Sequence, residues 1–350
     1  MKKSLQVLVS VICFWLCLVL CQAQTSSQND PLKLAATIPL SNVSGRIDHL
    51  AYDSKNQTVF VAALGNNTVE VVDLISKKVI HTIKNLHEPQ GIKYIPENNV
   101  IFVANGENGE CDVFNTVSYQ LITSIKMEGD ADNVRYDPSS GRIFVGYGDG
   151  AIAIIDAKTY KLLSEIKLPG HPESFQLDSD AKRIFVNVPD ALMIATLDIE
   201  KKSTTDKWKM EYATANFPMA LDSKNHRLFI GCRNPAKLLV INSETGKMVT
   251  QTDISSDTDD IFYDASSRQI YISCGGGYID VVSQIDKDNY KTISRVESRS
   301  GARTSLFVPE LNQLIVAAPA RAGNDAQLMI YEKIKAYALT CFDNFKVIKY

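Results

Sequence analysis

The chain has 350 residues, 45% of them hydrophobic, and sets 37 Lys and Arg against 40 Asp and Glu for a formal charge of −3. That mildly acidic balance argues against nucleic acid or anionic membrane as a general partner, because their phosphates must be met by a clustered cationic surface. The length admits two domains, but a repeat that runs unbroken from about residue 34 to residue 334 makes one closed domain the simpler organisation.

At the N-terminus, Lys2 and Lys3 precede an apolar run from Leu5 to Leu20, and Cys21-Gln22-Ala23 offers small residues around a cleavage point. Residues 1–23 therefore read as a signal peptide, and the mature protein is expected to be exported to the periplasm or secreted. No membrane span is expected, because the apolar run of about 16 residues is short of the roughly 20 that a bilayer core needs. Cys21 also allows a lipid anchor after cleavage in front of it, although Leu20 is bulkier than the small residue usual at that place. Loss of the leader removes two lysines and moves the formal charge from −3 to −5.

From residue 59 onward, a short apolar strand recurs seven times at intervals of 41 to 44 residues, each time after a turn rich in Asp, Ser, Asn or Pro. The strands begin at Val59, Ile101, Ile143, Ile184, Leu228, Ile270 and Leu314. A period in the low forties built from short β-rich segments is the size of one four-stranded propeller blade. In the first repeat the strands are His49–Tyr52, Val59–Ala62, Thr68–Asp73 and Val79–Ile83, joined by hairpin turns such as Asp53-Ser54-Lys55-Asn56. Six repeats are complete. The seventh supplies Ser305–Phe307, Leu314–Ala317 and Gln327–Tyr331 and lacks a fourth strand, which Leu34–Ile38 at the other end of the chain can provide. The fold expected is an all-β, seven-bladed β-propeller of four-stranded antiparallel blades over residues 24–334, closed by the N-terminal strand. Residues 335–350 do not fit the repeat. Of the four cysteines that outlast the leader, Cys111, Cys232, Cys274 and Cys341, no two have CxxC spacing, so they read as small buried hydrophobes.

The segment 59–94 contains Asn67-Thr68-Val69-Glu70-Val71-Val72-Asp73, and the segment 150–174 repeats its plan. Both resemble the YVTN-type repeat of secreted bacterial propellers, the YncE-like family, over about 300 residues. The resemblance implies an extracytoplasmic seven-bladed propeller with a binding or scaffolding role, and it assigns no reaction.

Propellers place ligands at the mouth of the central channel. The position at which the chain leads into each innermost strand carries Asp48, Gln90, Asp132, Glu173, Phe217, Asp259 and Arg303, and the next position adds His49, Asn133, Ser174, Asp260 and Thr304. Asp48, His49, Gln90, Asp132, Asn133, Glu173, Asp259 and Arg303 are therefore the candidate ligand-binding residues. Carboxylates converging on one axis repel unless a proton or cation intervenes, so Asp48, Asp132, Glu173 and Asp259 are also candidate ligands for a divalent cation, Ca2+ or Mg2+. Arg303 offers an anchor for an anionic group. The leading expectation is a binding module for a small polar ligand, a cation or a protein partner, without catalysis of its own. The alternative is a metal-dependent lactonase-type hydrolase that draws on the same carboxylates for its ligands and base. Gly275-Gly276-Gly277 reads as a hairpin turn, and His171-Pro172-Glu173 as blade-junction geometry before catalysis.

Overall fold

A four-stranded blade built from this repeat is apolar on both faces. In the second strand of blade 1, Thr58–Ala63, and of blade 2, Val100–Asn105, every residue is buried. Such a sheet is stable only when another covers each face. The computed structural model describes residues 30–178, 180 and 182–334, and the expected leader and tail lie outside them. Residues Leu34–Glu332 form one unit; in the other, the Ile334 N–H donates to the Pro31 carbonyl at 2.9 Å.

Seven four-stranded antiparallel sheets form the ring. Blade 1 comprises Leu50–Asp53, Thr58–Ala63, Thr68–Asp73 and Lys78–Ile83, in that order from the channel outward. Blades 2 to 6 repeat the plan over residues 89–126, 131–167, 175–209, 214–253 and 258–300. Blade 7 takes Thr304–Val308, Gln313–Ala318 and Gln327–Lys333 from the end of the chain and its outermost strand, Leu32–Pro39, from the beginning. The Leu40 N–H donates to the Ala326 carbonyl at 2.8 Å beside this closure. Among the described residues no helix is long and apolar enough to cross a membrane.

The cores lie between blades. One cluster joins Phe102 and Val113 of blade 2 to Val145 and Ala153 of blade 3, and another joins Val59 and Val61 of blade 1 to Ile315 and Leu328 of blade 7. Phe60, Phe102, Phe144, Phe185, Phe229 and Tyr271 hold one register position in successive second strands and are at most 1% exposed. Removing one such ring costs about 3–5 kcal/mol. The outermost strands face solvent and show it: Leu121–Lys126 and Leu162–Lys167 are mostly exposed or half-buried. Cys111, Cys232 and Cys274 are free and buried, as their spacing implies, and Cys341 lies outside the described residues.

Sequence patterning does not reveal three carboxylates buried in the third strands. Glu70 accepts from Thr68 Oγ1 at 2.7 Å and Thr82 Oγ1 at 2.6 Å, and Asp112 from Ser124 Oγ at 2.5 Å and Asn105 Nδ2 at 2.9 Å. Asp280 pairs with Arg295 Nε at 2.8 Å and accepts the Ser255 N–H. Each occupies the same register, so a buried acid satisfied by hydroxyl, amide or guanidinium groups ties strands together inside the blade.

The turns are made by side chains that imitate backbone. Asp73, Asn115, Asp156, Asp198 and Asn242, each closing a third strand, accept N–H bonds from residues two or three ahead. Just before each second strand one residue is left-handed: Gln57, Asn99, Gly141, Lys182, His226, Arg268 and Asn312, with φ between 50° and 63°. In six of these the carbonyl then accepts an N–H from the turn beyond the third strand, as Gln57 does from Leu74 at 3.0 Å and Gly141 from Ala157 at 2.9 Å. A non-glycine residue there costs roughly 1–2 kcal/mol, against roughly 0.5–1 kcal/mol of extra unfolded-chain freedom for glycine. Gln57→Gly should therefore raise unfolding free energy, and Gly141→Ala, whose new methyl would meet nothing within 4 Å, should lower it. Each change should be about 0.5–1 kcal/mol in urea titrations, and equal signs would refute this account of the turn.

Candidate functional site

Where the chain leads into the innermost strands, the two-residue alternation of a β-strand is broken. In blade 1, Asp48 N–H donates to the Ala62 carbonyl and Ala62 N–H to that of His49, so two residues oppose one. Glu173 and Ser174 oppose Asn187 in the same way in blade 4. The register shifts between Pro89 and Ile92, Ala131 and Val134, Asn216 and Met219, and Thr258 and Asp260 in blades 2, 3, 5 and 6. These are β-bulges, which re-aim side chains at sheet edges. They explain why Asp132 and the adjacent Asn133 line one cavity, and why the first strand begins at Leu50 instead of His49.

All seven lead-in residues, Asp48, Gln90, Asp132, Glu173, Phe217, Asp259 and Arg303, line a cavity of about 220 Å3, joined by His49, Asn133 and Ser174. Four further residues line it: Arg46, Asp130, His171, which the sequence suggested first as blade-junction geometry, and Arg233. The first three lie two positions before their lead-in residues and form a second tier that the same repeat alignment contains. Arg233 comes from the end of the second strand of blade 5, Arg227–Asn234, and reaches in over the Phe217 ring, 3.8 Å from its centroid. The one apolar lead-in residue is thus the platform for a cation. Adjacent innermost strands approach closely here: a methyl at Gly91 would stand 1.9 Å from the Asp132 carbonyl oxygen.

Most carboxylates of the mouth are met by cations of the protein itself. Asp259 holds Arg233 Nη2 at 2.5 Å and Arg303 Nε at 2.8 Å, while Arg303 also reaches Asp257 at 2.9 Å. Arg46 pairs with Asp48 at 3.1 Å. Asp132 accepts from Asn133 Nδ2 at 3.2 Å and faces His171 Nε2 at 3.9 Å. His171 Nδ1 lies 2.7 Å from the Gly148 carbonyl, which fixes it as the donor. His49 stands between Asp48, 3.8 Å from Nε2, and Asp260, 3.6 Å from Nδ1. No hydrogen bond or ion pair reaches the carboxyl of Glu173 among the described residues.

These surroundings separate the acidities. Burial would lower His49, but Asp260, Asp48 and Asp132 outweigh it and raise its pKa to about 10. Burial likewise opposes a charged His171, yet Asp132, the Gly148 carbonyl and Asp130 raise it to about 9. Asp132, despite burial, is held below the usual carboxylate range by His171, His49 and Asn133. Burial lifts Asp48 to about 6, with Asp132 and Asp259 adding to the rise and His49 and Arg46 opposing it. Glu173 goes furthest: burial, then the charges of Asp132, Asp259 and Asp48 against His171, place it at about 8. Burial also raises Asp259, against the pull of Arg233 and Arg303, so the mouth favours charged imidazoles and a protonated Glu173.

The four carboxylates expected to hold a divalent ion share this cavity, but among the described residues no group of three or more His, Cys, Asp or Glu is spaced to hold a metal. Asp48, Asp132 and Asp259 are each engaged by protein donors, which compete with a cation for their oxygens.

No protein-family model and no curated protein matches this chain. Among solved structures 1822 chains match, so the architecture is too widely used to discriminate between functions. One, from the crystal structure of a mitotic checkpoint complex, superposes with a TM-score of 0.73 at 14% identity, over 88% of this chain and 94% of that one. At that identity the likeness shows the fold alone.

Because folded Glu173 binds its proton more tightly than the unfolded carboxyl, it subtracts stability as pH rises from about 4.5 to about 8. Glu173→Gln removes that loss. The melting temperature of the variant relative to the parent should climb across this window and level off above it; a difference independent of pH would contradict the assignment.

Proposed function

We propose that this protein is an exported seven-bladed propeller whose channel mouth binds a compact polar ligand through a cationic group, an ammonium or a guanidinium, without chemistry of its own. The observation that carries the reading is Glu173: a half-buried carboxyl, among the charges of Asp48, Asp132 and Asp259, with no protein cation paired to it. A cationic group beside it would supply the missing partner and favour the ionised form. Gln90, Asn133 and Ser174 add neutral hydrogen-bonding groups to the same wall, and Arg303 and Arg233 both pair with Asp259. The cationic group belongs either to a small molecule or to a Lys or Arg side chain of a protein partner. The second source accords with the common use of propellers as protein-binding scaffolds, and the structural neighbour comes from a multiprotein complex.

Placement outside the cytoplasm rests on the leader read at residues 1–23, with Cys21 as a point for a lipid anchor, and on the YVTN-type repeat of the YncE-like family. The binding reading is preferred over a lactonase-type hydrolase because three of the four carboxylates that such an enzyme would use as ligands and base, Asp48, Asp132 and Asp259, already face Arg46, His171, Arg233 and Arg303.

Calorimetric titration with methylguanidinium and butylammonium at pH 7 tests this. Binding should release protons, read from the dependence of the heat on buffer, as Glu173 ionises. Glu173→Gln should abolish that release and weaken binding about tenfold. Absence of binding by both cations, or affinity untouched by Glu173→Gln, would dismiss the proposal. Stabilisation by Ca2+ or Mg2+ that disappears in Asp132→Ala with Asp259→Ala, together with lactone turnover, would put the hydrolase in its place.

A further inference from the structure

A second cavity, of about 390 Å3, occupies the channel beneath the mouth. His49 and Ser174 line both cavities, and the inner one extends to Pro309, just past the far end of the innermost strand of blade 7. Its size is within the range of about 300–1,000 Å3 usual for small-molecule sites.

Its wall is divided by blade. Three residues beyond the lead-in positions, the chain places Lys93, Arg135 and Gln176 in blades 2, 3 and 4, and Ala220, Phe262 and Leu306 in blades 5, 6 and 7, all lining the cavity. One continuous arc is cationic and polar, and the facing arc is apolar. Arg135 touches only uncharged oxygens: the Val134 carbonyl at 3.0 Å, Ser174 Oγ at 3.1 Å and Asn133 Oδ1 at 3.4 Å. Its guanidinium lies 5.2 Å from the centre of the Phe175 ring. No hydrogen bond or ion pair engages the Lys93 ammonium among the described residues. The acid of this cavity, Asp260, is taken by the Ser305 N–H at 2.7 Å and by His49.

Two cations on adjacent strands, confined and with no carboxylate in ion-pair contact, disfavour each other's charge. Burial, with Arg135 beside it, pulls Lys93 down to about 8, and burial lowers Arg135 in turn against the attraction of Asp260 and Asp132. An anion between them relieves both effects, and Ala220, Phe262 and Leu306 offer apolar surface to the remainder of such a molecule, while Asp260 on that side is engaged by Ser305 and His49.

We propose that the channel interior binds a small organic anion with an apolar body, a monocarboxylate, whose charged group sits between Lys93 and Arg135 and whose body packs on Ala220, Phe262 and Leu306. This site is separate from the mouth and does not depend on the reading given to it. Anions bind by charge-assisted hydrogen bonds to ammonium and guanidinium groups, and the apolar arc adds the area that distinguishes an acid with a tail from one without.

Calorimetric titration of the full chain with hexanoate, acetate and hexanol decides the matter. Hexanoate should bind at one site, with acetate and hexanol at least tenfold weaker, since each keeps only half of the recognition. At pH 8 hexanoate binding should take up protons as Lys93 becomes fully charged. Of the other titratable groups on this wall, His49 is already protonated there and Tyr263 stays neutral, burial holding its phenol well above the usual range. Lys93→Met should weaken hexanoate tenfold or more and Lys93→Arg should restore it. The proton uptake is read on the unaltered protein, so misfolding of a variant cannot hide the answer. Absence of hexanoate binding, equal binding of hexanol, or no proton uptake at pH 8 would each overturn the site.

Discussion

A blade that is apolar on both faces cannot end. This constraint organises the molecule: each core cluster is shared by two adjacent blades, so no blade has a core of its own. The ring is the arrangement in which every face is covered and the inner edges meet around an axis. Once seven innermost strands are held around that axis, any residue type repeated at one register becomes a tier of the channel wall. The chemistry of the channel follows from the packing between the blades.

The tiers differ in how their charge is balanced. At the mouth, acids from five positions meet Arg46, Arg233, Arg303 and two histidines, and the mismatch is greatest at Glu173, whose pKa burial and its acidic neighbours push up to about 8. Three residues deeper the sign reverses, and Lys93 and Arg135 face the lumen with only neutral acceptors. His49 lies between these regions and borders both cavities. A channel with an acid above and bases below, joined by an imidazolium, distinguishes its two compartments by charge as well as by depth.

The fold was legible because its cause is periodic. The spacing of the strands beginning at Val59, Ile101 and Ile143 is that of one blade, and the missing fourth strand of the last repeat pointed to Leu34–Ile38 as its replacement. The lead-in residues were legible for the same reason, since residues at one register of a ring converge. What was not legible breaks the period or crosses it. The bulges that turn both Asp132 and Asn133 to one cavity leave no mark in composition. Arg233 arrives from a second strand by the length of its side chain. The pairing of Asp48 with Arg46 and of Asp132 with His171 depends on distances that alignment of repeats cannot supply. Lys93 and Arg135 look like ordinary exposed charges until the inner strand places them in the lumen.

The last blade joins residues 34–39 to residues 327–332, nearly the whole chain apart. During synthesis the first of these partners emerges about 290 residues before the second, a wait of roughly 15–60 s at ordinary elongation rates. Until then the strand that will close the ring has no mate, and the growing stack of blades ends in two uncovered apolar faces. Completion is therefore a late, single event, and a chain cut short by even one strand loses the closure of the entire ring instead of one seventh of it.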